Sequence, residues 1–149
     1  MTFPSVADSN TSTELVATAT HGVDMPATVN AGEVLLIKIS TGGEPVIVMP
    51  TDWQNAYPPV VFVAVSLATF MIIADGTEGG TTVNFTTVDS AGDPLSVKSS
   101  HISCAITDWI GDLRGIRAGD AQTANTTTPN PPSVTATSGT GDNLFIALM

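Results

Sequence analysis

The stretch that decides the fold is Glu33-Val34-Leu35-Leu36-Ile37-Lys38-Ile39-Ser40. It is rich in aliphatic and β-branched residues, and Lys38 and Ser40 share one side of an extended chain, as expected where a strand leaves the core. A Gly-Gly turn sequence follows at positions 42 and 43, and residues 45–49 are a second, short apolar run. We therefore predict a β-hairpin built from residues 33–40 and 45–49.

Residues 60–74 form the longest apolar run, with apolar side chains on both sides of an extended backbone. A strand of a two-layer protein normally turns one side to water. Two explanations stay open: the run divides near Ser66 into two strands that change sheets, or its outer side is buried by another subunit. The run is shorter than the ~20 residues that span a bilayer and has no flanking Lys or Arg, so we predict a soluble core segment and no membrane partner.

Strand patterns recur along the rest of the chain, separated by Gly, Pro, Asn and Asp. They cover residues 13–20, 81–88, 100–107 and 143–149, and the pattern at 81–88 predicts a hairpin with the run at 60–74. No helix of more than two turns is expected. The prediction is an all-β chain, an antiparallel β-sandwich or jelly-roll-like fold of about eight to ten short strands.

The predicted organisation is a single domain at residues 13–149 preceded by an arm. Residues 1–12 are small and polar without periodicity, which indicates a flexible or partner-held N-terminal arm. Residues 115–138 are mostly Thr, Pro, Asn, Ala and Gly and are expected to form a long loop within the domain.

Composition excludes several classes of function. The chain has 149 residues and a formal net charge of -10, with 14 acidic residues against 4 Lys and Arg. Such a charge repels the phosphate backbone, so no nucleic-acid partner is expected. The N-terminal residues lack a basic segment followed by an apolar one, which predicts no secretory signal peptide. The single cysteine, Cys104, cannot form an internal disulfide.

Few side chains carry chemistry. His101 and Cys104 could form a base and nucleophile pair, but residues three apart in a strand point to opposite faces. We expect Cys104 in the core with Ile102 and Ile106, and His101 on the surface. No catalytic or transition-metal signature is present, so neither an enzyme nor a cofactor is expected. The turn holding Asp75 and Glu78 is the calcium candidate, and a solvated acidic turn is its alternative.

Aromatic side chains are the candidates for contact with partners. Trp53 and Tyr57 lie in a proline-containing stretch and either plug one end of the core or touch a partner. With Trp109 they are the side chains that could stack on a sugar ring, and a core aromatic at a strand end is the alternative for each tryptophan. Phe62 and Phe70 complete the candidate interaction residues, on the explanation that the run at 60–74 meets another subunit.

Turn and strand signatures are distributed between positions 21 and 147. They are His21-Gly22-Val23-Asp24-Met25-Pro26, Val29-Asn30-Ala31-Gly32-Glu33-Val34-Leu35-Leu36, Pro50-Thr51-Asp52-Trp53, Ala74-Asp75-Gly76-Thr77-Glu78, Ala105-Ile106-Thr107, Pro131-Pro132-Ser133-Val134 and Asp142-Asn143-Leu144-Phe145-Ile146-Ala147. Together they resemble a β-sandwich module of structural proteins encoded by tailed bacteriophages, over roughly residues 13–149.

This resemblance implies a building block of the virion with no catalytic residues. A compact domain favours a capsid decoration or cement protein that forms a homo-oligomer, binds the major capsid protein and is assembled into the virion in the host bacterial cytoplasm. The alternative is a tail- or fibre-associated module that binds a receptor or glycan. Residues 1–11 or 115–138 would add a strand to a neighbour's sheet edge.

Overall fold

The computed structural model describes residues 4–62 and 64–109, with Phe62 described by its backbone only. These residues form eight strands and no helix, which confirms the all-β class. The strands are β1 (Ser5–Thr18), β2 (Thr20–Asp24), β3 (Val34–Gly42), β4 (Val46–Val48), β5 (Gln54–Phe62), β6 (Val65–Ile73), β7 (Thr82–Val88) and β8 (Val97–Thr107). The described residues include no helix long and apolar enough to cross a membrane.

The strands form two antiparallel sheets. One has five strands in the order β1-β8-β3-β6-β5, and the other has three in the order β2-β7-β4. The predicted strand at 33–40 is β3, the central strand of the larger sheet, paired with β8 on one side and β6 on the other. The apolar residues on its two faces belong to two separate apolar clusters, one on each side of the sheet.

The two sheets contact each other through an apolar core. We call the face of the five-stranded sheet that meets the three-stranded sheet the inner face, and the opposite one the outer face. Leu35, Ile37 and Ile39 alternate along β3 and point into this core. Phe70 of β6 stacks on Phe85 of β7 with ring centroids 5.1 Å apart, so each sheet contributes one ring to the contact.

The predicted hairpin between residues 33–40 and 45–49 is wrong. β4 pairs with β7 in the smaller sheet, whereas β3 pairs with β6 and β8. The nine residues of β3 need partners of similar length, and a three-residue strand cannot supply them. Only Ile47 of β4 is buried, so β4 contributes one side chain to the core as a strand of the smaller sheet.

The apolar run at 60–74 divides into two strands, as one of the two explanations required. β5 ends at Phe62 and β6 begins at Val65, so the break precedes Ser66. The two strands do not change sheets, because β5 and β6 are antiparallel neighbours in the five-stranded sheet. The predicted hairpin with residues 81–88 is also absent, since β7 pairs with β2 and β4.

The N-terminal residues lie in a strand where the sequence predicted an arm. β1 begins at Ser5 and pairs with β8 from the Ser5–Thr107 pair to the Glu14–Ser99 pair. Its inward side chains are polar, and the Asn10 side chain donates a hydrogen bond to the carbonyl oxygen of Met25. Hydrophobic periodicity cannot reveal such a strand. The predicted loop at 115–138 and strand at 143–149 lie outside the described residues.

Candidate functional site

The outer face of the five-stranded sheet is apolar at one end. Val34, Leu36, Met71 and Ile106 form a second buried cluster there, separate from the core between the sheets. Partly buried hydrophobic side chains that pack against this cluster include Trp109, at the end of β8. This end of the sheet is therefore apolar on both faces. A sheet whose outer face meets only water does not need apolar side chains on that face.

A row of four aliphatic side chains crosses this end of the face, and we call it the outer row. Val6 pairs with Ile106, Ile106 with Val34, and Val34 with Ile73. The two central side chains, Ile106 and Val34, are 4% and 0% exposed, whereas Val6 and Ile73 are 43% and 42% exposed. The buried cluster thus continues into exposed apolar surface on β1 and on β6.

Both edges of the five-stranded sheet are irregular. The pairing of β1 with β8 shifts between Val6 and Asp8 and again between Glu14 and Thr18. The pairing of β5 with β6 shifts on both sides of Tyr57. Such irregularities interrupt the regular row of backbone groups that another strand would use. The face of the sheet is therefore better suited to binding than its edges.

A shallow groove lies at the other end of the same sheet, about 290 Å³ in volume. Its walls come from residues 13–15 of β1, 40–42 of β3, 98–100 of β8 and Val65 of β6. Ser99 is one of the residues of this groove, and its hydroxyl forms a hydrogen bond with His21 between the sheets.

A chain of buried hydrogen bonds joins the two sheets behind this groove. Ser99 Oγ lies 2.7 Å from His21 Nδ1 and 2.7 Å from His101 Nε2. His21 Nε2 lies 2.9 Å from Thr87 Oγ1, and His101 Nδ1 lies 3.0 Å from Ser12 Oγ. We call these five side chains the histidine chain. It connects β1 and β8 of one sheet with β2 and β7 of the other.

Both imidazole rings are held in their neutral form. Burial lowers the pKa of His21, and the carboxylate of Glu14 partly opposes the effect. Burial also lowers the pKa of His101, His21 lowers it further, and Glu14 and Asp24 act in the opposite direction. At neutral pH the rings are therefore hydrogen-bonding groups without charge.

The structure separates His101 from Cys104, as the strand geometry predicted. His101 is on the inner face of β8 and Cys104 on the outer face, so the two side chains cannot act as a pair. The expected surface position of His101 is wrong, because the ring is buried at 2% exposure. Burial raises the pKa of the Cys104 thiol, which keeps it protonated.

The carboxylates of the calcium candidate close their own turn. Asp75 Oδ1 accepts hydrogen bonds from the backbone nitrogen and hydroxyl of Thr77, and these lower the pKa of Asp75. The Glu78 carboxylate accepts from the backbone nitrogens of Asp75 and Gly76. Within residues 4–62 and 64–109, no group of three or more His, Cys, Asp and Glu side chains is placed to hold a metal ion.

The candidate interaction aromatics occupy different environments. Trp53 packs edge-on against Phe85 and is 8% exposed, so it plugs the core. Phe70 is fully buried in the same core. Tyr57 is half-buried on the edge strand β5, Trp109 lies against the outer cluster, and the side chain of Phe62 is outside the described atoms.

Sequence reasoning missed the histidine chain because it assigned the faces of β8 by hydropathy. His101 and Ser103 alternate with the apolar residues Ile102 and Cys104, and this polar side was expected to meet water. The structure turns this polar set inward, where Ser103 Oγ donates a hydrogen bond to the carbonyl oxygen of Asp24. Residues 8–14 of β1 are polar on both sides, so the sequence of β1 offered no signal for its inward side.

Comparisons of the chain with protein-family models, with curated proteins and with solved structures give no match. Function is therefore inferred from the residues and geometry of the chain itself.

Proposed function

We propose that this chain is a structural protein of a bacteriophage virion, a decoration or cement protein of the capsid that acts by stoichiometric binding and not by catalysis. Its partners are other copies of itself and the major capsid protein, and its location is the virion assembled in the host bacterial cytoplasm. The outer row is the observation that carries the proposal. The turn and strand signatures that resemble tailed-phage modules support the choice of partner.

The fold that we propose is an antiparallel β-sandwich with jelly-roll character. The contact between the inner face of the five-stranded sheet and β2, β4 and β7 supports it, as does the stack of Phe70 on Phe85. Sandwiches of this kind bury one face of each sheet and leave the other face for solvent or a partner.

The outer face is the binding surface in this proposal. Val6 and Ile73 extend an already buried apolar cluster, so a partner that covers them enlarges an existing apolar layer. Apolar surface removed from water stabilises a contact by about 25 cal/mol per Å². Exposed apolar side chains at the border of a buried apolar cluster are candidates for such a contact.

Binding through the face replaces the strand clamp that was expected of residues 1–11, and the segment at 115–138 lies outside the described residues. Residues 5–14 already pair with β8 along one side, so they are not a loose arm that could join a neighbour's sheet. The irregular pairing at β1 and β5 also disfavours edge-to-edge association. Face-to-face packing uses side chains and does not require an unpaired strand.

The net charge of -10 sets the salt dependence of self-association. Copies with the same strong negative charge repel one another, and salt screens that repulsion. An apolar interface between copies is therefore strengthened as the ionic strength rises. A contact made of surface ion pairs would be weakened by the same change.

The alternative glycan-binding role loses one of its three candidate residues. Trp53 is buried in the core against Phe85, so its indole ring cannot stack on a sugar. Of the remaining candidates, Trp109 packs against the outer cluster and Tyr57 is half-buried. The outer row therefore favours protein assembly over sugar recognition.

Co-sedimentation with expanded empty capsids of the virus that encodes this chain tests the proposal. The wild-type protein is expected to bind saturably, and Val6→Asp and Ile73→Asp to bind at least about tenfold more weakly, the effect of about 1.4 kcal/mol. Val46→Asp is the matched control, because Val46 is 54% exposed on β4 of the other sheet. Circular dichroism verifies that each variant is folded. Absence of saturable wild-type binding, or equal losses in all three variants, would refute the proposal.

A further inference from the structure

The direction of the histidine chain is fixed at Thr87. The Thr87 hydroxyl lies 2.7 Å from the carbonyl oxygen of Leu95, and a carbonyl cannot donate, so the hydroxyl hydrogen points to Leu95. Thr87 Oγ1 can then only accept from His21, whose Nε2 carries a hydrogen. In neutral His21 the other nitrogen, Nδ1, is an acceptor. The Ser99 hydroxyl therefore donates to it.

The same reasoning fixes the second ring. Because its hydrogen goes to His21, Ser99 Oγ accepts from Nε2–H of His101. His101 Nδ1 is then an acceptor and receives the hydrogen of the Ser12 hydroxyl. Both rings are neutral with the hydrogen on Nε2, and the chain runs from Ser12 to Leu95 with every ring nitrogen satisfied.

This arrangement can accept one proton without losing a hydrogen bond to a ring. Ser12 Oγ also lies 3.4 Å from the carbonyl oxygen of Gly22, which is an alternative acceptor for its hydrogen. If His101 takes the proton, its Nδ1–H donates to Ser12, and Ser12 turns to Gly22. If His21 takes it, Ser99 turns to His101 Nε2, and His101 moves its own hydrogen to Nδ1.

A second proton breaks the chain at Ser99. With both rings charged, Ser99 Oγ faces two N–H donors, and its own hydrogen has no acceptor among the contacts described above. The two positive rings also lie only 6.2 Å apart between their centroids, in a layer shielded from water. Both effects oppose the doubly charged state.

Two carboxylates lie near the pair, one on β1 and one on β2. Glu14 on β1 reaches toward β2, where its carboxylate accepts from the backbone nitrogen of Gly22. Asp24 on β2 is exposed and accepts a hydrogen bond from Thr82. No titratable side chain of β3 or β7 lies on the inner face, and Lys38 of β3 and Lys98 of β8 lie on the parity of the outer face.

We propose that the histidine chain is a one-proton site: the folded protein takes up one proton shared by His21 and His101, and uptake of a second separates β2 and β7 from β1 and β8. The inference is independent of the virion role, since it rests only on contacts within one chain.

Histidine-selective ¹⁵N NMR of the full chain between pH 8 and pH 4.5 tests this inference. At pH 8 both rings are expected to be neutral Nε2–H tautomers. On acidification the folded protein is expected to gain one proton over the two rings, and the second only together with loss of the folded spectrum. An Nδ1–H tautomer at pH 8, or two charged rings in the folded protein, would overturn the proposal.

Two variants and a control sharpen the test. Ser99→Ala removes the shared hydroxyl, so the rings are expected to lose their fixed tautomers, whereas Ser100→Ala, on the exposed outer side of β8, is expected to titrate as wild type. Glu14→Gln keeps both rings and removes the Glu14 carboxylate, so the folded protein is expected to take up its one proton at a lower pH. This variant tests the site even if Ser99→Ala does not fold. Equal effects of Ser99→Ala and Ser100→Ala, or no shift in Glu14→Gln, would contradict the one-proton site.

Discussion

His21 of β2 and His101 of β8 lie edge to face with ring centroids 6.2 Å apart, and one serine hydroxyl bridges them. This polar pair lies between the two sheets, beside core side chains that are aliphatic and aromatic. It links the two sheets at the β1–β8 side, while Phe70 and Phe85 link them at the β6 side. The stability of the sheet contact should therefore depend on pH.

We predict that the free energy of unfolding falls as the pH drops below about 6.5, the ordinary histidine pKa. Burial lowers the folded-state pKa of both rings, so the unfolded chain binds protons first. The stabilisation by the neutral rings is complete above the histidine pKa of the unfolded chain. It is lost as the pH falls toward the lower histidine pKa of the folded protein, at up to about 1.4 kcal/mol per ring for each pH unit. Urea denaturation at pH 8 and pH 5.5 measures it.

The double variant His21→Gln/His101→Gln is the control for this pH dependence and should lack it between these two values. Asp8 and Asp75 do not interfere, because hydrogen bonds lower the pKa of each carboxyl below its usual value. Their contribution is lost only in more acidic solution. Equal wild-type stability at pH 8 and pH 5.5 would contradict the account.

A pair of glycines separates backbone strain from steric contact. Gly76 and Gly92 have φ angles of 94° and 90°, but an added Cβ would lie 3.0 Å from the backbone nitrogen of Ala31 at Gly76 and meet nothing within 4 Å at Gly92. We expect Gly92→Ala to cost about 1 kcal/mol. Gly76→Ala should cost more, because the backbone around Ala31 must also shift. Thermal denaturation of both variants measures the difference, and equal costs would contradict the close approach.

Two buried threonines should respond in opposite ways to replacement by valine. Thr41 Oγ1 is buried without a hydrogen-bond partner, so Thr41→Val removes an unsatisfied hydroxyl and should be neutral or stabilising. The Thr87 hydroxyl is used by both His21 and Leu95. Thr87→Val should destabilise the protein by about 1–3 kcal/mol. Urea midpoints compare the two, and a larger loss for Thr41→Val would be inconsistent with these contacts.

The thiol of Cys104 should react slowly in the folded protein. It is 5% exposed on the outer face, and burial raises its pKa, so little thiolate is available and reagents cannot reach it. A disulfide reagent at pH 8 is expected to modify the unfolded chain in urea at least tenfold faster than the folded one. Rapid modification without urea would place Cys104 elsewhere.

The sequence identified the strands better than their partners. The residues of β3 follow from local composition, since β-branched and aliphatic residues favour strands wherever they lie. The division of the run at 60–74 was one of two explanations that the composition left open. Pairing depends on the whole set of strands. β3 takes β6 and β8 as neighbours, and no local turn sequence encodes the choice of β8, which lies more than fifty residues later.

The faces of β1 and β8 were harder to predict for a different physical reason. Their inner sides carry Ser12, Ser99 and His101, whose hydrogen bonds satisfy one another in the core. A hydropathy pattern reads such residues as exposed, because it cannot register a polar partner from a distant strand. The outer row could not be predicted either, because its four side chains come from four strands that only the strand pairing brings together.

Native mass spectrometry of the purified chain at neutral pH, wild type beside Ile73→Asp, tests the central claim most directly. If the outer face is an assembly surface, the wild-type protein forms a closed oligomer that persists as the salt concentration rises, and Ile73→Asp is monomeric and folded. A wild-type protein that is monomeric and shows no affinity for capsids would contradict the account. So would an oligomer that survives Ile73→Asp unchanged.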